Sequence, residues 1–237
     1  MSSIKRSFVA GAVLFALVSS VHAQKAGDNI FGIGVANIAP DISLGKLTSV
    51  GPAAAPFNAV NTGATASSSS VNTLSFSWLH MYTDNIATEL SLGVPPKMTV
   101  DVHLTTSDHP GAATAHILTP ALVAKYLFNT PADQWRPYIG LGITHGSFTS
   151  VRANSGDPLV NQLGGTSASL SSSWAPVYNA GLIYNINDKW SINGSISYIP
   201  LKSTATFAGA GPGTGTTTSG RLKLDPTDIV IRIGYKF

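Results

Sequence analysis

A chain of 237 residues without a cysteine has no disulfide framework and no thiolate metal site. Charged residues make up 11% of it, well below the roughly 25% of soluble domains, so the composition argues against a surface that meets water on every side. With Lys5 and Arg6 set aside in the leader described next, twelve basic residues stand against eleven acidic ones, and no basic field remains to hold nucleic acid.

The chain opens on Lys5 and Arg6, an apolar run over residues 8–18, and the tripeptide Val21, His22, Ala23. A basic start, a short apolar stretch and a small-x-Ala site are the parts of a secretory signal. Residues 1–23 are therefore expected to be cleaved, leaving residues 24–237 as a single domain that begins at Gln24. No later apolar run approaches the length of a membrane-spanning helix.

Side chains on a strand alternate between faces, and residues 24–237 predict eight such strands in chain order. The first, 29–39, sets Phe31, Ile33 and Val35 against Gly32, Gly34 and Ala36. The second, 71–82, aligns Leu74, Phe76, Trp78 and Tyr82, and the third, 85–94, sets Ile86, Leu90, Leu92 and Val94 against Glu89 and Ser91. The fourth is predicted to run unbroken over 115–128, with Leu118, Leu122, Tyr126 and Phe128 opposite Lys125. The fifth, 136–148, sets Ile139, Leu141 and Ile143 against glycines. The sixth, 173–186, aligns Trp174, Tyr178, Leu182 and Tyr184. The seventh, 190–202, sets Trp190, Ile192, Ile196 and Tyr198 against Ser195 and Ser197. The last, 227–237, sets Ile229, Ile231, Ile233, Tyr235 and Phe237 against Asp228, Arg232 and Lys236.

Short connections at 83–84, 129–134 and 187–189 alternate with long ones at 40–70, 95–114, 149–172 and 203–226. An even strand count, both termini beside the short turns and aromatics near strand ends form the pattern of a transmembrane barrel. Lipid supplies no hydrogen bonds to a backbone, so such strands must close. The predicted fold is all-β: an eight-stranded antiparallel transmembrane β-barrel in the outer membrane of a Gram-negative bacterium. Arg or Lys on the lipid face at mid-depth costs roughly 2–4 kcal/mol, so Glu89, Lys125 and Arg232 are expected to point inward. The ending at Phe237 resembles the C-terminal strand of bacterial outer-membrane barrels, which implies recognition by the barrel-assembly machinery.

Two groups carry possible chemistry. His145 and Ser147, with Asp157 downstream, resemble the wall triad of outer-membrane lipid A deacylases, because residues i and i+2 share a face. Serine is common in this chain, so the opposing reading is coincidence, and no enzyme activity is expected. His103, His109 and His116, with Asp101 and Asp108, match no zinc spacing and read as a solvated loop. Residues 209–220 are glycine-rich without the lysine of a phosphate loop, and 64–70 are low in complexity; both read as flexible external loops. No metal or cofactor is expected.

Residues 82–90 (YTDNIATEL) and 136–143 (RPYIGLGI) resemble strands of the outer-membrane protein W family. The strings between Trp174 and Lys202 are similar to family members that take up alkanes. The resemblance spans 24–237 and implies a narrow apolar channel, entered from outside, from which small hydrophobic molecules leave sideways into the membrane. Outer-membrane lipids and lipopolysaccharide are then its surroundings. Eight strands enclose room for side chains or one small ligand. The expected channel lining is Glu89, Ser91, Leu104, Ser197 and Leu201. Ser91 and Ser197 fall where the family carries bulky apolar floor residues, which moves the floor to Leu104 or Leu201. Pro95, Pro96, Pro120, Pro176 and Pro200 remove ladder hydrogen bonds; they either open a lateral exit or merely end strands. A structural, adhesive or phage-receptor barrel is the alternative reading.

Overall fold

The computed structural model describes residues 24–52, 65–104, 107–158, 167–208 and 215–237; the expected leader, 1–23, lies outside them. The strands in chain order are β1 (Asn29–Ala39), β2 (Ser43–Leu44), β3 (Thr48–Val50), β4 (Thr65–Ser67), β5 (Val71–Met81), β6 (Ile86–Gly93), β7 (Lys97–His103) and β8 (Asp108–Leu118). There follow β9 (Ala121–Leu127), β10 (Trp135–Ala153), β11 (Ser167–Leu170), β12 (Ser173–Asn185), β13 (Trp190–Tyr198), β14 (Lys202–Ala208), β15 (Thr217–Lys223) and β16 (Thr227–Lys236).

Eight of them close a cylinder, each antiparallel to the next: β1, β5, β6, β9, β10, β12, β13 and β16. The closing seam pairs Ile33 with Ile233 and Val35 with Ile231. Closure leaves no sheet edge in the bilayer, where an unpaired backbone group has no partner. The outward face is the predicted one: Ile33, Leu74, Leu90, Leu122, Leu141, Ile196 and Ile231 are all exposed. At the short-turn end, Trp135 packs on Tyr184 (4.5 Å between centroids), Trp190 on Tyr235 (4.8 Å) and Tyr126 on Phe128 (5.2 Å). Toward the other end lie Trp174 against His145 and Tyr178 stacked on Tyr198. Amphipathic rings at these two levels fit the two interfaces of a bilayer.

The long connections depart from expectation. The β7–β8 hairpin joins β4 and the upper part of β10, while β11, β14, β15, β2 and β3 form a second sheet. The cylinder therefore continues beyond the apolar belt as folded β-structure rather than loops. Residues 65–67 and 217–220, expected to be flexible, lie in strands β4 and β15, while residues 209–214 lie outside the described residues. The fourth predicted strand breaks at Thr119 and Pro120, and the seventh at Ile199, Pro200 and Leu201. Each break coincides with a residue that has no N–H to give the ladder.

Candidate functional site: the lumen

The interior is layered. At the periplasmic end Arg136 is fully buried. Its Nη1 donates to the Gln24 carbonyl (2.6 Å) and its Nη2 to the Asp84 carbonyl (2.5 Å). Gln24 Nε2 in turn donates to Asn185 Oδ1 (2.6 Å). Above this lid pack Ile30, Leu79, Met81, Ala87, Leu127, Tyr138 and Ile183. Arg136→Met is expected to lose about 1–3 kcal/mol, because buried carbonyls lose a charged donor; urea unfolding in lipid vesicles reads the change.

At mid-depth Glu89, Lys125 and Arg232 meet, all inward as expected and all buried. Lys125 Nζ lies 2.8 Å from Glu89 Oε2, and Arg232 Nη1 lies 3.2 Å from Glu89 Oε1. Arg232 also donates to Ser75 Oγ from Nε (3.0 Å) and Nη2 (2.7 Å), and to Ser91 Oγ. Lys125 sits over the Tyr138 ring at 4.2 Å, whose hydroxyl donates to Asn193 Oδ1 at 2.9 Å. Inward glycines make the room: a Cβ on Gly32 would sit 3.3 Å from Arg232 Cδ, and one on Gly181 would strike the Tyr138 ring at 2.5 Å.

Over this cluster lies a lumen cavity bordered by Ser91, Val177, Asn179, Ser197, Ile199 and Asp228 among others. An apolar plug of Met98, Ile117, Ile199, Leu201, Leu222 and Leu224 covers it. Leu201 has no exposed surface and packs on bare backbone, since a Cβ on Gly146 would lie 2.7 Å from its methyls. Outermost is a chamber partly open to solvent and almost wholly apolar. Leu44, Leu47, Val100, Val102, Leu104, Leu170 and Phe207 contribute to its wall.

The sequence-derived lining thus separates by depth. Glu89, Ser91 and Ser197 border the lumen cavity, Leu201 is in the plug, and Leu104 belongs to the outer chamber. A second apolar cluster, around Met81, Leu127 and Tyr138, lies deeper, toward the short turns. Strand alternation already turned Arg136 inward; its carbonyl partners, distant in sequence, left no local signal.

The prolines mark two interruptions of the wall. The β6–β9 ladder ends at Ser91 opposite Ala121 and resumes at Lys97 opposite His116, past Pro95, Pro96 and Pro120. The Ile117 N–H reaches the Pro96 carbonyl at 3.3 Å. The β12–β13 ladder ends at Tyr178 opposite Tyr198. Even-numbered residues of β12 face β13, as Ile186 donating to Trp190 shows, and odd residues of β13 face β16, as Ile199 donating to Pro226 shows. The next hydrogen-bonding rung therefore sets Pro176 against Pro200, and neither has an N–H. On its other edge Pro176 sits in an unbroken ladder opposite Ile143.

The structure does not bring His145, Ser147 and Asp157 together as a triad. His145 packs on Trp174, and Ser147 Oγ donates to the Leu118 carbonyl (3.4 Å). Asp157 pairs with His109 Nδ1 (2.9 Å), whose Nε2 meets Ser107 Oγ (2.8 Å). That chain pins the 149–172 connection to the β7–β8 hairpin. His103 is held separately by Asp108 and Ser67.

A closed cylinder with an apolar belt, a sealed polar interior and folded extensions on one side defines an outer-membrane β-barrel. The OmpW family profile matches residues 25–237, and the chain belongs to the OmpW family. Outer membrane protein W of Escherichia coli (strain K12) is 29% identical over 235 residues, covering 98% of this chain and 99% of that protein. Outer membrane protein AlkL of Ectopseudomonas oleovorans is 25% identical over 165 residues, 70% of this chain and 66% of that one. The crystal structure of OprG from Pseudomonas aeruginosa is similar with a TM-score of 0.80 at 26% identity, covering 92% of this chain and 99% of that one. The protein resides in the outer membrane of a Gram-negative bacterium, and these relatives are named as membrane proteins rather than enzymes.

Proposed function

We propose that this barrel takes up small hydrophobic molecules passively from outside and releases them sideways into the outer membrane. The observation that carries this reading is the apolar outer chamber stacked on an apolar plug. Burial of a solute there gains roughly 25 cal/mol per Å² of apolar surface. Below the plug, the ion cluster and the Arg136 lid obstruct a hydrated path to the periplasm. The wall interruptions at Pro95, Pro96 and Pro120, and at Pro176 and Pro200, are the lateral exits in this reading. Similarity to AlkL and the resemblance to alkane-uptake members support it.

In the same reading residues 1–23 are a leader cleaved before Gln24, and exposed Phe237 presents the chain to the barrel-assembly machinery. The wall then contacts outer-membrane lipids and lipopolysaccharide. The test is n-octane entry into intact cells. Ala112→Trp, which fills the chamber from its wall, is expected to reduce entry to that of cells lacking the protein while the barrel still assembles. Unchanged entry overturns the proposal.

A further inference from the structure

The lumen cavity holds two buried acceptors left without a partner among the described residues: Oδ1 of Asp228 and Oδ1 of Asn179. Pairing sets Asn179 opposite Ser197 and Ser197 opposite Asp228, so the three share one inward rung across β12, β13 and β16. The Asn179 amide has a fixed orientation. Its Nδ2 donates to the Ile196 carbonyl (3.2 Å) and to Ser197 Oγ (2.9 Å). A carbonyl only accepts, so Oδ1 is necessarily the bare end.

Two carboxylates border this cavity. Glu89 is held by Lys125 and Arg232, whereas Asp228 has no basic partner among the described residues. Arg232 lies four residues along the same strand, about 13 Å away, and is engaged with Glu89, Ser75 and Ser91. A half-buried carboxylate beside Val177, Ile199 and the plug is unfavourable as an anion unless it takes up a proton or a donor-bearing cation meets it.

We propose that the rung Asn179, Ser197, Asp228 is a head-group subsite for primary alkylammonium ions. The N–H donors of such a head meet Asp228 Oδ1 and the remaining lone pair of Ser197 Oγ, which are paired on neighbouring strands, while Asn179 Nδ2 holds Ser197 Oγ in place. The alkyl tail lies against Val177, Ile199 and the plug. An alcohol brings one donor and no charge; a quaternary ammonium brings no donor; a carboxylate is repelled. The subsite rests on the uptake reading for how a solute arrives, but not for whether it binds.

The test titrates the intact barrel in lipid nanodiscs with n-hexylammonium chloride and, separately, 1-hexanol, following the backbone amides of Asn179, Ser197 and Asp228. Hexylammonium is expected to bind about tenfold or more tighter, as a charge-assisted hydrogen bond contributes. Asp228→Asn is expected to abolish that preference and Asn179→Leu to reduce it, with hexanol affinity little changed. Heat-shifted gel mobility verifies assembly, and Asp228→Ser replaces any variant that fails to fold. Equal affinities in the wild type, or a preference that survives loss of the carboxylate, overturn the subsite. Failure of octane entry in the wild type refutes the uptake route alone, and failure of the ammonium preference refutes the subsite alone.

Discussion

Replacing Glu89 with leucine is expected to destabilise the barrel by about 3–5 kcal/mol, the usual consequence of removing one partner from a buried ionic group. Glu89 alone joins Lys125 and Arg232, whose side chains are 1% and 5% exposed. Without it, two cations share a desolvated interior with only Ser75, Ser91 and the Tyr138 ring to meet them. The triple variant Glu89→Leu, Lys125→Met, Arg232→Leu is expected to recover most of the loss, because it removes the buried charges together. Urea unfolding in lipid vesicles measures both. A single variant as stable as the wild type contradicts the ionic core; a triple variant as weak as the single one assigns the loss to packing instead.

The contrast bears on what the sequence made legible. The wall was readable because lipid enforces strict alternation: Ile229, Ile231 and Ile233 face out while Arg232 faces in. A large apolar side chain at every second position writes that face plainly. The sheets above the belt obey the same alternation, but their inner face carries small residues such as Ala112, Ala115, Ala205 and Thr218. Side chains of that size leave little periodic contrast, so the extensions read as loops. Pro120 was read through as part of one strand, although its missing donor ends β8 and β9 on either side. Parity alone placed Ser91 and Ser197 inward. It could not reveal that Leu201, Leu222 and Leu224 converge with Met98 in one plug, because that contact depends on how far neighbouring strands are staggered. The partner of Asp157 was hidden for the same reason: it reaches His109, 48 residues back, rather than the nearer His145.

Ile231→Arg is expected to prevent most of the chain from assembling. Ile231 is 56% exposed at the centre of β16, opposite Val35 on one side and Gly194 on the other. A cation there enters hydrocarbon at roughly 2–4 kcal/mol, whereas near an interface the cost falls to about 0–1 kcal/mol. Tyr235→Arg, in the periplasmic aromatic girdle four residues along the same face, is therefore expected to assemble nearly normally. Arg232→Gln, one residue from Ile231 but pointing into the lumen, is expected to assemble as well, since it retains Lys125 as the partner of Glu89. The fraction of heat-modifiable barrel after refolding into vesicles orders the three. The penalty is amplified at Ile231 because β16 closes the cylinder between β1 and β13, and an open cylinder exposes unpaired backbone to lipid on both edges. Equal assembly of Ile231→Arg and Tyr235→Arg contradicts the depth assignment; assembly of Ile231→Arg together with loss of Arg232→Gln reverses the facing of the strand.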